Sequence, residues 1–580
     1  MNYILGLNIF HADSSACILK NGNIVAAAEE ERFNRIKHFA GVPLESIKYC
    51  LDSCSIKLDQ IDFIAINQNQ KSNFINKLLY VLISKPNINF ILKKIKIKFK
   101  RSNMLDHIKL PTKYGYFKGT IANIDHHLSH MASSFYVSEF DEAVNLSIDG
   151  FGDFCSTAWG VGKKKNIRID KKILFPHSIG IFYQALTQYL GFRNYGDEYK
   201  LMGLAPYGKP IYLEKLNKIL KINKFDGTFK LNLDYFLHHK DEVNFKWENT
   251  SPIFSNLYSN ELIKLLGPER KKNEEITQYH KDLASSVQEI FENFLINLLN
   301  ILHKKYKIDN LTLSGGCAMN SAANGKIFSN TPFKKIFIPP NPGDGGGAIG
   351  AALEKYNKKS NLIEKKINNK SAYLGNEFSN DFIEEEIIKN NLKKNFLVKK
   401  IESDILVEQV AQALNKSLVV GWFQGRMEWG PRALGNRSIL GDARNSKMKD
   451  ILNLKIKRRE SFRPFAPSIL REDISDWFET SESVPYMSEV YLIKKEKRQL
   501  LPAVNHINNT GRVQTVSKDD NLIFYNLIKK FKEITGVPII LNTSFNENEP
   551  IVRTPQEAIS CYLRTKMDIL VMENWLVSRK

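Results

Sequence analysis

The stretch that most constrains this chain is Asp125–Tyr136, because it places histidines on a segment of helical periodicity. Its apolar residues recur at i, i+3, i+4 and i+7, which predicts an amphipathic helix. This stripe consists of Leu128, Met131, Ala132 and Phe135. His126 and His130 lie four residues apart and opposite the stripe, so we expect them to face solvent or a cleft. From this helix alone, two interpretations of the histidines stay open: they form half of a metal site, or they belong to an exposed polar face.

Two glycine-containing loops that follow predicted strands offer carboxylates to the same site. Val144–Ile148 alternates as a half-buried strand and ends at Asp149, which opens an Asp-Gly-Phe-Gly-Asp loop. Asp344 precedes three glycines, between a strand predicted at 335–338 and a helix predicted from about residue 348. Two histidines with Asp149 and Asp344 would form a mixed nitrogen and oxygen set. Such a set suits Fe, Mn or Zn better than Mg or Ca.

One pattern recurs along the first half of the chain: a strand is followed by a polar turn and then by another strand or a helix. Tyr3–Ile9 is predicted as a strand, and Asn21-Gly22 is a strong hairpin signal between the next two apolar runs. Residues 143–156 repeat this opening, and residues 311–320 form a third unit with a glycine-rich turn. The repetition predicts a duplicated α/β core with loops around one nucleotide-sized cleft, as in actin-like ATPase folds.

Arginines in glycine- and proline-containing loops distinguish the last third of the chain. Charged residues at 353–370 are predicted to form a linker before it. The segment 421–438 then places three arginines in such a loop, and further loops carry Arg463 and Arg512. Guanidinium groups match phosphate geometry, so the pattern favours a phosphate site. The alternative is that some of these arginines brace the domain through backbone carbonyls.

Composition bounds the class of protein. A chain of 580 residues with 43% hydrophobic and 25% charged residues is too long for one core and is typical of a globular enzyme. Six cysteines without framework spacing indicate a reducing cytoplasm, and we see neither a signal peptide nor the run of about 18 apolar residues that a spanning helix needs.

The net charge of +21 is densest in an insert at about 71–118. This insert could bind nucleic acid or an anionic membrane surface, but we favour a solvated face of inserted chain.

Several motifs together resemble the O-carbamoyltransferases, which include the nodulation-factor, cephamycin and aminoglycoside carbamoyltransferases. The motifs are His11-Ala-Asp-Ser-Ser-Ala16, Glu29-Glu-Glu-Arg-Phe33, His126-His-Leu-Ser-His130, the segment 196–208, Gly430-Pro-Arg-Ala-Leu-Gly-Asn-Arg-Ser438 and Asn542-Thr-Ser-Phe-Asn546. The resemblance covers nearly the whole chain. It implies an α/β protein with an actin-like domain at 1–360, similar to the tRNA threonylcarbamoyl-transferases. It also implies a domain at 371–580 similar to the threonylcarbamoyl-adenylate synthases.

The resemblance implies a reaction in two steps. Carbamoyl phosphate and ATP, accompanied by Mg, would give carbamoyl-adenylate in the C-terminal domain. The N-terminal domain would transfer the carbamoyl group to a hydroxyl of a sugar-containing or secondary-metabolite acceptor. By motif, the iron ligands would be His126, His130, Asp149 and Asp344, and the nucleotide contacts would be Lys37, Asp149, Ser178, Gly316 and Asp344. The carbamoyl phosphate pocket would hold Arg432, Arg463, Arg512 and Asn542.

Hydroxyl transfer also requires a group that accepts a proton near the transferred carbon. His11 and Asp13, in the first loop, are the candidates that would face the same cleft as Asp149, and Arg432 and Asp149 complete the predicted catalytic set. His127 is expected to be a bystander or to support the ligands from behind. We expect no nucleic acid partner and no membrane span, and a homodimer is an assembly to test.

Two other functions stay open at this point. The positive charge and the fold relation suggest a tRNA-modifying transferase of the threonylcarbamoyl type. The Gly430–Ser438 motif argues against this alternative, because it favours a small-molecule acceptor. A non-catalytic nucleotide-binding protein of actin-like fold would have no use for the C-terminal arginines.

Overall fold

The computed structural model describes residues 2–9, 11–89, 91–92, 114–240, 245–246, 249–360, 371–460 and 462–580. The chain forms two compact units. The N-terminal unit comprises Met1–Ala323 and Ile327–Lys370, and the C-terminal unit comprises Asn324–Lys326 and Ser371–Lys580. Within the described residues, no helix is both long and apolar enough to cross a bilayer.

The N-terminal unit is built on two five-stranded sheets with the same topology. The strands of this unit are β1 (Tyr3–Asn8), β2 (Ser15–Lys20), β3 (Asn23–Glu29), β4 (Phe63–Ile66), β5 (Thr120–Asn123), β6 (Glu142–Gly152), β7 (Cys155–Lys163), β8 (Asn166–Leu174), β9 (Leu220–Ile222), β10 (Phe229–Leu231), β11 (Phe245–Lys246), β12 (Ile253–Phe254), β13 (Asn310–Ser314) and β14 (Lys335–Phe337). The two sheets have the orders β3-β2-β1-β4-β5 and β8-β7-β6-β13-β14. β9 pairs with β10 and β11 with β12 as short hairpins.

Each five-stranded sheet joins an antiparallel meander of three strands to two parallel strands. In the first sheet β2 is antiparallel to β1 and β3, whereas β4 is parallel to β1 and β5. In the second sheet β7 is antiparallel to β6 and β8, whereas β13 is parallel to β6 and β14. The predicted duplication of the α/β core is therefore confirmed. The predicted hairpin is also present, with Asn21 and Gly22 at φ 52° and 81° between β2 and β3, the left-handed geometry that Asn-Gly adopts readily.

Helices cover the sheets of the N-terminal unit. They are Glu31–Asn34, Leu44–Asp52, Phe74–Ser84, His126–Phe135, Ile179–Tyr189, Glu198–Leu204, Leu213–Ile219, Asn260–Leu266, Gln278–Tyr306, Ser321–Asn324, Ile327–Asn330 and Gly347–Lys359. The core of the first sheet includes Leu5, Leu7, Ile18 and Ile64, all fully buried.

Two boundaries differ from the sequence-based expectation. The predicted linker at 353–370 is wrong over its first part, because residues 353–359 complete the helix Gly347–Lys359 and Leu353 is fully buried. Residues 361–370 lie outside the described part of the chain. The strand that was expected to end at Asp149 continues to Gly152, with an irregular register between Ile148 and Gly152. Asp149 therefore lies in a bulge of β6, which turns its side chain out of the regular ladder.

The C-terminal unit contains one nine-stranded mixed sheet. Its strands are β15 (Phe396–Lys400), β16 (Val420–Phe423), β17 (Arg437–Asp442), β18 (Ala466–Leu470), β19 (Glu489–Leu492), β20 (Thr510–Val516), β21 (Ile539–Ser544), β22 (Ile569–Met572) and β23 (Trp575–Arg579). The order across the sheet is β15-β23-β22-β16-β17-β21-β18-β20-β19.

Helices complete the C-terminal unit as an α/β fold. They are Asn380–Lys389, Leu392–Asn395, Ser403–Asn415, Met448–Leu452, Ile474–Trp477, Leu522–Thr535 and Pro555–Arg564, with a π-helical turn at Asn453–Lys457. A core of fully buried side chains joins Ser403–Asn415 and Leu522–Thr535 to the sheet; among them are Val410, Leu414, Trp422, Phe524 and Phe531.

Candidate metal and anion sites

The helix that carries the histidines begins at His126 and ends at Phe135. Asp125 caps it, since its carboxylate accepts the backbone N–H groups of His127 at 3.1 Å and Leu128 at 3.3 Å. His126 and His130 are fully buried. The exposed polar face that the sequence left open is therefore excluded, because β6 and the loop that carries Asp344 cover the side of the helix opposite its apolar stripe.

Four side chains from three segments converge into one cluster of potential metal ligands. They are His126, His130, Asp149 and Asp344, and one ligand atom from each lies within 4.8 Å of all the others. The Nε2 atoms of His126 and His130 are 3.0 Å apart, and Asp149 Oδ2 lies 3.1 Å from the first and 3.5 Å from the second. Asp344 Oδ1 lies 3.5 Å from both. Ligands about 2.1 Å from a single ion are separated by about 3.0–3.4 Å, so this arrangement fits one divalent cation.

Backbone contacts hold Asp149 in place. The N–H of Gly316 donates to Asp149 Oδ1 at 3.0 Å. The hydroxyl of Ser178 donates to the carbonyl of Gly150 at 2.8 Å and also accepts the Ile181 N–H, as the N-cap of the helix Ile179–Tyr189. Gly152 allows β6 to approach the histidines, because a Cβ at that position would lie 2.0–2.5 Å from the ring of His126. Ser178 and Gly316, two of the predicted nucleotide contacts, thus lie beside Asp149.

Burial and charge set the protonation of the cluster. Burial opposes protonation of both histidines, but the carboxylates of Asp149 and Asp344 outweigh it and raise the pKa of His126 above its ordinary value and that of His130 to about 9. Burial and the charge of Asp149 raise the pKa of Asp344 to about 6. Despite its burial, Asp149 has a pKa well below its usual value because both histidines contact it. A metal ion must displace protons from these imidazoles, so its affinity falls as the pH falls.

His127 belongs to the scaffold of the cluster rather than to its ligand set. Its Nδ1 lies 2.8 Å from the hydroxyl of Ser147 and its Nε2 lies 3.1 Å from the carbonyl of Cys155. Burial and the neighbouring histidines lower its pKa to about 3. A neutral His127 therefore fastens the helix to β6 and β7.

The two residues of the first loop that were predicted to be catalytic occupy different surroundings. His11 lies beside the cluster of potential metal ligands, with its ring centroid 4.4 Å from that of His126 and its Nδ1 3.9 Å from Asp344 Oδ2. Asp13 instead bonds His38, whose Nδ1 lies 2.8 Å from Asp13 Oδ1. Although burial opposes it, the charge of Asp13 raises the pKa of His38 to about 9. His38 is thus a cation at neutral pH, and it was not predicted from the sequence.

Tyr195 is a further residue of this site that sequence reasoning missed. Its ring packs edge-on against that of His38, with centroids 5.4 Å apart. Burial and then the charges of Asp344, Asp13 and Asp149 raise its pKa, which places its hydroxyl in the field of all three carboxylates. Its position just before the Gly196–Gly208 motif is the signal that could have found it. Lys37, the predicted nucleotide contact, is exposed in the loop before His38.

A second charged site lies in the C-terminal unit. Burial and then the positive charges of Arg432, Arg459 and Arg463 hold the pKa of Arg512 well below its usual value. The buried Nε of Arg512 has no hydrogen-bond partner among the described residues. Burial and the charges of Arg512 and Lys449 lower the pKa of His506 to about 3. The structure therefore brings together the three arginines predicted for carbamoyl phosphate and adds Arg459; this group of four is the arginine cluster. Its excess positive charge suits an anion such as phosphate.

Two other arginines of the glycine-rich loop have a structural role. Arg437 is fully buried and donates to the carbonyls of Gln424, Asn436, Asn376 and Gly425, while its guanidinium lies 3.6 Å from the ring centroid of Phe423. Arg426 donates to the carbonyls of Leu374 and Gly375. Within 421–438, Arg432 is therefore the arginine that remains a candidate for the predicted phosphate role. The bracing alternative holds for the other two arginines because both guanidinium groups donate to backbone carbonyls.

Two buried polar side chains position the segment that carries Arg432. One carboxylate oxygen of Glu428 accepts the N–H groups of Leu434, Asn436 and Arg437 at 2.7–3.1 Å, which wraps the loop around it. Asn542 is 1% exposed, and its amide donates to the carbonyl of Ala433 at 3.3 Å as well as to Ser468 and Gln514. Asn542, predicted as a carbamoyl phosphate contact, therefore supports the residue next to Arg432.

Comparison with known proteins finds the same family along both units. Residues 3–353 match a family model described as Carbamoyltransferase N-terminus, and residues 411–579 match one described as Carbamoyltransferase C-terminus. The chain is 35% identical to the nodulation protein NolNO of Sinorhizobium fredii, over 99% of this chain and 80% of that protein. It is 37% identical to the uncharacterized protein sll1178 of Synechocystis sp., over 100% of this chain and 97% of that protein.

Among solved structures, the chain is similar to component A of the (R)-2-hydroxyglutaryl-CoA dehydratase of Acidaminococcus fermentans, with a TM-score of 0.32 and 15% identity over 62% of this chain and 100% of that one. The family matches cover far more than half of the chain and agree with the resemblance found in its motifs. This chain therefore belongs to the carbamoyltransferase family and is a carbamoyltransferase.

Proposed function

We propose that this protein is an ATP-dependent O-carbamoyltransferase that forms carbamoyl-adenylate in its C-terminal unit and transfers the carbamoyl group to a hydroxyl in its N-terminal unit. The observation that carries the proposal is the presence of two charged sites of opposite character. The arginine cluster suits a dense anion, and the histidine and aspartate cluster suits a divalent cation. Membership of the carbamoyltransferase family supports carbamoyl transfer as the overall chemistry.

The arginine cluster would bind carbamoyl phosphate. Its several guanidiniums neutralise the phosphate and the charge that develops as phosphate leaves. The reaction balances if water releases phosphate and the resulting carbamate oxygen attacks the α-phosphorus of ATP, which expels pyrophosphate. The neutral His506 beside Arg512 leaves the positive charge of the pocket to the arginines. The Glu428 carboxylate holds the loop of Arg432 and would thereby position this arginine for the substrate.

The cluster of His126, His130, Asp149 and Asp344 would hold the metal, for which the family resemblance favours Fe²⁺ and the ligand types also allow Mn or Zn. A divalent ion bound there supplies a Lewis acid for phosphate and hydroxyl oxygens. Nucleotide contacts are assigned to Gly316, Ser178 and Lys37 by the same resemblance, and Mg would accompany ATP.

His11 would accept the proton of the acceptor hydroxyl. It lies beside the metal cluster, whereas His38 is already protonated through its pair with Asp13 and is therefore a poor base. Asp13 and His38 would instead face the substrate as a fixed pair of charges. The acceptor class, a sugar-containing or secondary-metabolite hydroxyl, follows from the resemblance.

The experiment measures the two half-reactions separately. Pyrophosphate release from ATP reports adenylate formation, and ¹⁴C-labelled carbamoyl phosphate reports transfer to a panel of glycosides, nucleotide sugars and bulk tRNA. We expect Arg432→Gln to abolish both signals, and Asp149→Asn to retain carbamoyl-phosphate-dependent pyrophosphate release while it loses transfer.

Matched variants and acceptors decide the outcome. Arg458→Gln, an exposed neighbour of the cluster, should keep both signals. Equal loss of adenylate formation in Arg432→Gln and Asp149→Asn would contradict two separate sites. If the label appears in tRNA and not in the glycosides, the acceptor is a nucleic acid and not the proposed small molecule. Transfer to amines in preference to every hydroxyl would refute O-carbamoylation.

A further inference from the structure

The helix Phe74–Ser84 turns its apolar residues outward. None of its residues is buried. The exposed fraction reaches 67% at Phe74, 72% at Ile75 and 78% at Ile83. The other exposed apolar residues of the helix are Leu78, Leu79, Val81 and Leu82. Ile88 and Leu92, beyond the helix, are exposed as well.

The opposite side of the same helix is attached to the N-terminal unit. Tyr80 packs edge-on against Phe154 and Phe175, with ring centroids 5.7 Å and 5.1 Å apart. Just before the helix, the Asn73 amide donates to the carbonyl of Asp153 at 2.8 Å. Lys77 donates to the carbonyl of Gln70 at 3.0 Å. These contacts fix the rotation of the helix, so its outward face is determined by packing.

The polarity of this helix is the reverse of what a surface helix normally shows. At about 100° per residue, the seven outward residues span an arc of about 200°, and Tyr80 lies on the remaining side. A surface helix ordinarily buries its apolar stripe and exposes its polar one. A contiguous exposed apolar surface of this kind marks an interaction site.

Charge selects the partner. Residues 71–92 contain Lys71, Lys77 and Lys85 and no acidic residue, and the sequence continues with six basic residues between 93 and 101. A second copy of the chain would bring the same positive charge and would be repelled. Nucleic acid would pair with the lysines but would leave the apolar arc in water. An anionic lipid surface satisfies both features, since it offers negative headgroups above apolar chains.

We propose that the helix Phe74–Ser84 docks this protein on an anionic bilayer, with the helix axis in the plane of the membrane and its apolar arc at the level of the acyl chains. A helix of this length measures about 16 Å at about 1.5 Å per residue, which is too short to cross a bilayer but sufficient to lie in it. The proposal rests on the contacts and exposure of this helix and is independent of the reaction proposed above.

Flotation of the full-length protein with liposomes tests this proposal. The vesicles are phosphatidylcholine alone, or phosphatidylcholine with about 30% phosphatidylglycerol, a content that gives a strongly negative surface. We expect binding to the anionic vesicles that weakens with salt. Leu78→Ser/Leu82→Ser should weaken that binding by at least about 10-fold, since it removes two side chains that would enter the acyl region. The matched control is Ile211→Ser/Phe225→Ser, which removes two exposed apolar residues elsewhere in the same unit.

Both double variants should keep the melting temperature of the parent protein, because all four side chains are exposed. Failure of the parent to float with anionic vesicles would overturn the proposal, as would equal binding by the two double variants. A dimer that Leu78→Ser/Leu82→Ser converts to a monomer, without vesicle binding, would assign the surface to a second copy. Retention on duplex DNA or tRNA that this variant abolishes, again without vesicle binding, would assign it to nucleic acid.

Discussion

At the scale of single residues, Asp149 joins the parts of the candidate metal site, since its carboxylate contacts both histidines and the N–H of Gly316. Asp149→Asn keeps the size of the side chain and removes its charge. We expect metal affinity to fall by at least about 10-fold, the loss that even outer partners of a ligand can cause. Elemental analysis after equilibrium dialysis against Fe²⁺, Mn²⁺ and Zn²⁺ measures this.

The control for this prediction is Asp170→Asn, which removes an aspartate that pairs with Arg168 away from the cluster. That variant should bind metal as the parent protein does. Full metal occupancy in Asp149→Asn, or in His126→Ala/His130→Ala, would contradict the assignment of the cluster.

Arg459 provides a prediction for the second site. Its charge contributes to the lowered pKa of Arg512, and we therefore propose that it helps to bind the same anion. Arg459→Gln should raise the KM for carbamoyl phosphate by about 10- to 100-fold, the effect of one charge-assisted hydrogen bond of about 1.5–3 kcal/mol. Initial rates of pyrophosphate release against carbamoyl phosphate concentration measure it.

Arg458 supplies the matched control, since its side chain is 66% exposed and lies 3.4 Å from Glu547. Arg458→Gln should leave the KM unchanged. An equal increase in both variants would show that general positive charge, rather than the arginine cluster, determines affinity.

At the scale of secondary structure elements, the edge strand β19 carries a buried acid with a predictable effect on stability. Glu489 is 5% exposed and contacts the hydroxyl of Tyr491, and burial raises its pKa to about 7 from an ordinary 4.5. Between these pH values the folded state holds a proton that the unfolded state releases. The stabilisation that protonated Glu489 adds to the free energy of unfolding is therefore complete below pH 4.5. It is lost as the pH rises through about 7, at up to about 1.4 kcal/mol per pH unit.

Glu489→Gln should remove this dependence because the amide stays neutral. Urea unfolding at pH 5 and pH 8 measures the free energy of unfolding. Between pH 5 and pH 8 this free energy should fall by at least about 1 kcal/mol more in the parent protein than in the variant. An identical loss in both proteins would mean that Glu489 ionises in the folded state as it does in the unfolded chain.

At the scale of the whole molecule, each unit has its own hydrophobic core and its own charged site. We therefore expect calorimetry to resolve two unfolding transitions. Chelation of metal should lower the transition temperature of the N-terminal unit, and inorganic phosphate should raise the transition temperature of the C-terminal unit. A ligand at 100 times its Kd adds about 2.7 kcal/mol to the unit that binds it.

Two variants assign the transitions. Asp149→Asn should make one transition insensitive to chelation, and Arg459→Gln should make the other insensitive to phosphate. A single transition that responds to both ligands would contradict this assignment.

The sequence by itself determined the features that depend on local chemistry and spacing. The Asn21-Gly22 turn, the alternation of strands and polar turns, and the i, i+4 spacing of His126 and His130 specify backbone geometry within a few residues. For that reason the duplicated α/β core could be predicted, and long motifs indicated the family. The predicted ligands Asp149 and Asp344 followed from glycine-containing turns at predicted strand ends, although Asp149 proved to lie in a bulge of β6.

Only the tertiary structure decided what depends on neighbours distant in sequence. The burial of His126 and His130 follows from covering by β6 and the Asp344 loop, which is why helical periodicity alone could not decide whether they face solvent or a cleft. Two arginines of one loop entered different surroundings: backbone carbonyls of separate segments accept hydrogen bonds from Arg437, whereas the charge of Arg432 acts on the buried Arg512. His38 and Tyr195 entered the N-terminal site, and Arg459 the C-terminal one, for the same reason. Charge and burial at each site arise from residues that meet only when the chain is folded.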